Sequence, residues 1–299
     1  MPRTSLLERY QSFPNLFMGQ VDVPSFFYSL DQLIGGFRNG ALTILAGTPG
    51  VGTSTLALSI ALRQSKRFSI AYVLTNPRSE NFKRCVIHNC VGTHLPEEQY
   101  AYYDEVLKET QHSSLCLVND TCDRYHSIKH AIYQQMREYI CSCVIVDFLQ
   151  DIILDDLFPH PDRRKQLNAI CADLRSLAYE LDISIILLAH ANDLPQDLPL
   201  DCHSATSVLP TIYDVDVKHS ADLVLYLTTN GCEQLQTQHP SHTISRLLVM
   251  HNAFGEKGEV LLKSDLSLSR TRPLDSKEDA KYYPVPLLPK SYSDSNSPF

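Results

Sequence analysis

Gly47-Thr48-Pro49-Gly50-Val51-Gly52-Thr53-Ser54-Thr55 follows the apolar run Leu42–Ala46 and leads into a stretch patterned as a helix from near Ser54. The spacing is GxxxxG followed by hydroxyl residues, in a strand–loop–helix setting. Glycines so placed let backbone N–H groups turn inward around phosphate oxygens, and the helix start adds its partial positive charge. Gly47, Gly50, Gly52, Thr53, Ser54 and Thr55 are therefore the candidate nucleotide-binding residues. Further along, Val144-Ile145-Val146-Asp147-Phe148-Leu149-Gln150 ends an apolar run on a carboxylate. Asp147 there would hold Mg²⁺ through water beside the Ser54 hydroxyl, which makes Ser54 and Asp147 the candidate metal pair. Each feature has a plain alternative: a glycine-rich turn with no ligand, and a strand-end Asp of the common kind. Their order along the chain is what makes the pair specific.

These residues need a scaffold, and the surrounding pattern supplies one. Apolar runs occur at Leu42–Ala46, Ile70–Thr75, Leu115–Val118, Val144–Phe148, Ile183–Ala189, Leu223–Leu227 and Leu247–His251. They are short and apolar on both faces, as strands of a parallel sheet covered on both sides read. Helical stretches lie between several of them. In Gln166–Leu181 the residues Leu167, Ile170, Leu174, Leu177 and Leu181 form one stripe. Strand–helix alternation implies βαβ units and a doubly wound α/β sheet. Residues 4–13 read as a short amphipathic helix with capping-box spacing at Ser5 and Glu8, stopped by Pro14. Residues 191–217 read as a long polar loop, and 273–299, rich in Pro, Ser, Asp and Lys, as a disordered tail. The expected organisation is a docking helix and linker over 1–24, one α/β domain over 25–272 and the tail over 273–299.

Composition narrows the class. A chain of 299 residues, 43% hydrophobic, has room for one large α/β domain. The net charge of −8, with no basic run longer than Arg163-Arg164-Lys165, argues against a free-standing nucleic-acid binder. Nine scattered cysteines without a CxxC point to neither a zinc ribbon nor a redox pair. Cys141 and Cys143 read as small buried hydrophobes at a strand entry. The first twenty residues carry Arg3, Glu8 and Arg9 and are no signal peptide, and no stretch is long and apolar enough to span a bilayer. The expectation is a soluble cytoplasmic protein.

Several blocks carry a resemblance. Leu30-Asp31-Gln32-Leu33-Ile34-Gly35-Gly36-Phe37, Gly40–Gly47, Val118-Asn119-Asp120-Thr121, Asp147-Phe148-Leu149-Gln150, Leu174–Leu181 and Ser220–Leu225 resemble the C-terminal motor domain of DnaB-type replicative helicases, over roughly residues 25–272. RadA-type relatives share the first blocks, and Asp-Phe-Leu-Gln favours DnaB. The resemblance implies a RecA-like P-loop fold: a mostly parallel twisted sheet with helices on both faces. It also implies ATP or ADP with Mg²⁺ as cofactor, bound between neighbours of a hexameric ring around single-stranded DNA. On this resemblance the family's amino-terminal primase-binding domain is not expected within the 299 residues, and the helix at 4–13 is the candidate for its linker helix.

Departures from that family are as informative as the matches. Thr53 stands at the P-loop lysine position. Loss of one such aimed charge costs roughly 10²–10³ in rate. The register of the segment after Leu74-Thr75 puts Asn76 where the family has its catalytic Glu, and loss of a general base costs about 10²–10⁴. Anchoring on Gly255 and Gly258 puts His251 and Ala253 at the Lys-x-Arg finger, worth about 10³–10⁵. A shifted register offers Met250 and Asn252, which carry no fixed cation either, and leaves Lys257 as the candidate displaced one. Residues 191–217 hold no Lys or Arg but do hold Asp193, Asp197, Asp201, Asp214 and Asp216, a loop that repels phosphates. His190-Ala191-Asn192 stands for the family's Gln-Leu-Asn. Gln150 and His190 are the candidate γ-phosphate sensors, and for His190 a packed strand-end histidine is the equal alternative.

The expected function is a DnaB-like protein without ATP hydrolysis, a regulator or scaffold of a helicase or replication assembly. Its partner would be itself, in a ring or smaller homo-oligomer, or an active DnaB-type helicase, with DNA binding doubtful. Three alternatives stay open: a nucleotide-binding switch with little turnover, a divergent ATP-dependent helicase with rearranged cations, and a protein-binding domain whose P-loop is mere ancestry.

Overall fold

The computed structural model describes residues 22–75, 79–92, 103–110, 112, 114–118, 123–154, 162–192, 221–230, 232 and 242–274. The expected helix at 4–13, Asn76, residues 193–217 of the acidic loop and the tail beyond residue 274 lie outside them.

Six of the expected runs form the parallel part of one sheet. They are β1 (Leu42–Gly47), β2 (Ile70–Leu74), β3 (Leu115–Val118), β4 (Cys143–Asp147), β5 (Ser184–His190) and β6 (Leu223–Thr228). Three more strands, β7 (His242–Asn252), β8 (Gly258–Asp265) and β9 (Arg270–Pro273), extend it antiparallel. The order is β3-β2-β4-β5-β1-β6-β7-β8-β9. The run Leu247–His251, read as one more parallel strand, is thus the second half of an antiparallel strand. Burial on both faces does not decide direction. Leu248 and Met250 enter one core layer while Leu247 and Val249 enter the other, so the run reads like its parallel neighbours.

Helices cover both faces. On one lie α1 (Tyr28–Ile34), α2 (Thr53–Ser65), α3 (Ser79–Val91) and α4 (Tyr103–Glu109), contributing Leu30, Leu56, Ile60, Val86 and Leu107 to a common cluster. On the other lie α5 (Tyr125–Tyr139) and α6 (Arg163–Leu181). The stripe read from the sequence is the buried face of α6: Leu167, Ile170, Leu174 and Leu177 are at most 2% exposed, and Leu181 packs at the margin. Asp162 caps this helix by accepting the Arg164 N–H at 3.0 Å, and Asp182, in the left-handed region at φ 52°, ends it. Each fully buried side chain of this size contributes roughly 1.5–3 kcal/mol. Cys141 and Cys143 are buried as expected, with the Cys141 thiol pushed by burial up to about 12.

Candidate nucleotide site

The carboxyl ends of parallel strands are where open α/β sheets bind ligands, and β1, β2, β4 and β5 bring their chemistry-bearing residues there. Gly47 stands opposite His190 of β5 and Leu227 of β6, and the Ala191 N–H donates to its carbonyl at 3.0 Å. A Cβ at Gly47 would lie 2.7 Å from Val51 Cγ1, 2.9 Å from Thr53 Cγ2 and 3.0 Å from the Leu227 carbonyl oxygen. Only glycine fits. Gly50 and Gly52 are needed for a different reason: their φ angles are +85° and +104°, while a Cβ at either meets nothing within 4 Å. Neither position is crowded by the rest of the fold, and a glycine loop of this kind is one whose backbone takes phosphate oxygens. The Leu56 N–H donates to the Gly52 carbonyl and opens α2 directly behind the loop.

The three hydroxyl residues part company at this point. Thr53 is only 4% exposed and turns its methyl against Gly47. Ser54 and Thr55 are half-buried. The Ser54 hydroxyl donates to Asp147 Oδ1 at 3.3 Å, so the pair read as a metal site from residues 93 positions apart does come together. The donor set suits a hydrated Mg²⁺, which takes one or two carboxylates and keeps most of its waters. With the glycine cradle beside it, the residues fit a magnesium nucleotide.

Asp147 is held by more than Ser54. Its Oδ2 accepts the Tyr72 hydroxyl at 2.8 Å. Tyr72 is fully buried, and burial first, then the Asp147 charge, pushes its pKa well above the usual phenol range, so it stays a donor. Thr75 straps the ends of β2 and β4: its N–H donates to the Asp147 carbonyl at 2.9 Å, and its Oγ1 accepts the Phe148 N–H at 2.7 Å. Neither Tyr72 nor Thr75 stood out in the sequence, because each earns its place only through the pairing of Leu74 with Asp147 across two strands.

The two candidate sensors behave differently. Gln150 spends its side-chain amide on the backbone of His190, accepting that N–H at 2.9 Å and donating to that carbonyl at 3.1 Å. It fixes the end of β5. His190 stacks on Phe148 with ring centroids 4.2 Å apart, and its buried Nδ1 has no hydrogen-bond partner among the described residues. Burial holds its pKa below the usual imidazole range, against the pull of Asp151. Arg163, from the longest basic run, donates to the carbonyls of Gln150 and Ile152 and braces this corner.

His251 and Ala253 are at the opposite end of the sheet. His251 pairs with Val224 and Asn252 with Leu223, which in turn pairs with Thr43 at the start of β1. The Ala253 N–H donates to the Asp222 carbonyl at 2.9 Å. Of the alternative register, Met250 is fully buried, and the Asn252 side chain is engaged by its own turn through Glu256 and Phe254. Lys257 is exposed in that turn. None of these residues reaches the P-loop of its own chain.

A family model described as the DnaB-like helicase C terminal domain matches residues 22–271. The chain belongs to this family. The replicative DNA helicase DnaB of Mycoplasma pneumoniae is 22% identical over 293 residues, covering 89% of this chain and 60% of that protein. The DNA repair protein RadA of Chlamydia muridarum is 25% identical over 232 residues, covering 77% of this chain and 40% of that protein. The chain thus spans about 60% of the length of the first helicase relatives it matches. Among solved structures, a DnaB-like replicative helicase studied with its primase superposes with a TM-score of 0.69 at 18% identity, covering 90% of this chain and 68% of that one. The ATPase domain of G40P also gives 0.69, at 17% identity, covering 90% and 97%. A KaiC-like protein of Pyrococcus horikoshii gives 0.54 at 14% identity, covering 87% and 99%. These likenesses make the fold RecA-like, as the DnaB-like blocks implied. Among the described residues no helix is long and apolar enough to cross a membrane.

Proposed function

We propose that this DnaB-like domain is a non-catalytic member of its family, a regulator or scaffold in a helicase or replication assembly of the cytoplasm. The observation that supports it best is Thr53. It stands where the resemblance puts the phosphate-neutralising lysine, carries no charge, and is buried with its methyl against Gly47. Asn76 in place of the general base, and His251 and Ala253 in place of the trans-acting cations, point the same way. Losses within one catalytic unit do not multiply, but any one of them cripples turnover. Partners on this reading are further copies of the chain or an active DnaB-type helicase.

The intact cradle supports a second reading at the same site, a nucleotide-bound switch. Its support is that Gly47, Gly50 and Gly52 hold the loop in its turn and that the Ser54 hydroxyl and the Asp147 carboxylate meet beside it even without the lysine. Calorimetric titration with MgATP, paired with phosphate release with and without single-stranded DNA, separates the readings. Micromolar binding without DNA-stimulated release is the switch. No heat at millimolar nucleotide leaves the scaffold. Release stimulated by single-stranded DNA overturns both in favour of a divergent helicase.

A further inference from the structure

Tyr72 lies opposite Ile145 in the pairing of β2 with β4, yet its hydroxyl bonds the carboxylate of Asp147, two residues further on. The ring therefore leans along the sheet toward the strand ends, on the face covered by the P-loop helix α2. Phe82 of α3 fixes it there, with ring centroids 4.4 Å apart. Asp147 is 7% exposed and accepts from both sides, the Ser54 hydroxyl on Oδ1 and the shorter Tyr72 bond on Oδ2. A hydrated Mg²⁺ is drawn to a strand-end carboxylate by that same negative charge. A fixed buried donor already draws on it, and a hydrogen bond to a charged group in a dry site is among the stronger ones.

We propose that Tyr72 is a positioning residue that, by donating to Asp147, weakens this carboxylate's hold on a hydrated divalent cation, so that nucleotide enters this P-loop with little dependence on Mg²⁺. The inference rests on the reading of the loop as a nucleotide site. Its test is ATP titration by calorimetry in excess Mg²⁺ and in EDTA, on the wild-type chain and on Tyr72→Phe, which keeps the ring and its contact with Phe82. Wild-type affinity is expected to change by less than about threefold between the two conditions, and the variant to tighten roughly tenfold with Mg²⁺. Tenfold or greater tightening in the wild type overturns the proposal, whether or not the variant folds. Equal Mg²⁺ dependence in the two proteins also overturns it. Should nucleotide bind under neither condition, the nucleotide-site reading fails separately. Mn²⁺ alone, followed by electron paramagnetic resonance on nucleotide-free protein, then decides the role of Tyr72. Tighter Mn²⁺ binding by Tyr72→Phe, lost when Asp147→Asn is added, supports that role, and equal binding by wild type and variant overturns it.

Discussion

At the scale of the residue, Thr53 and Asp222 show what a single side chain decides. Thr53→Lys places a charge back in the loop. On the switch reading the variant binds MgATP about tenfold tighter, the effect of one charge-assisted contact, yet its phosphate release stays at background because Asn76 is unchanged. Release at a motor rate from this single change would sink the reading. Asp222, 6% exposed, accepts the Leu42 N–H at 3.0 Å and both the Nε and Nη2 groups of Arg175, so it ties α6 to the start of β1. Asp222→Ala leaves a buried backbone donor unpaired and should cost about 2–3 kcal/mol in denaturant unfolding. His112 gives a dependence on pH. It is 2% exposed, with Nδ1 2.9 Å from the Ser65 hydroxyl, and burial followed by the Lys66 charge pulls its pKa down to about 3. The unfolded chain takes up a proton near pH 6.5 that the folded one refuses. Stability is therefore lost as pH falls from about 6.5 toward 3, by roughly 2 kcal/mol at pH 5. Burial of His190 acts in the same direction. Urea midpoints at pH 7 and pH 5 should differ less in His112→Gln than in the wild type, and equal differences would show that His112 is not the group responsible. The glycines, Ser54 and Asp147 were legible as a site because their chemistry is local or sits at a strand end. Tyr72 was not, since a tyrosine inside an apolar run carries no mark of the partner it meets 75 residues away.

At the scale of the element, legibility followed burial. The six parallel strands are mostly apolar because helices lie on both faces, and their runs announced them. β8 alternates buried and half-exposed residues, with Val260 and Leu262 inward and Glu259, Leu261 and Lys263 on the other face. β9 ends on Pro273, and the first half of β7 is polar. None of these three forms a continuous apolar run, so the antiparallel extension went unread apart from its second half-strand. The strand-to-helix turn at Gly47 is the tightest point of the fold near the site. Gly47→Ala drives a methyl into Val51, Thr53 and the backbone of Leu227. Overpacking of this kind costs about 1–3 kcal/mol, and the displaced loop should lose nucleotide affinity as well. Thermal unfolding and calorimetry on one preparation check both effects, and an unchanged melting temperature would mean the turn relaxes freely.

At the scale of the whole molecule, the sheet has two unlike ends. The loop at Gly47 closes one, and the β7–β8 turn carrying Ala253 and Lys257 closes the other, the length of β1 away, about 20 Å. Such a molecule has a head and a tail, and copies that meet through these ends join by unlike surfaces, closing into a ring or growing as a filament. The proposed reading gives this polarity a kinetic meaning. A silent copy seated among working relatives spoils the site it owns and also the one its turn faces on the next protomer. Inhibition of an active helicase by this chain should then outrun its incorporation, two sites lost for each copy taken in, so that a minority of silent subunits stalls most of the ring.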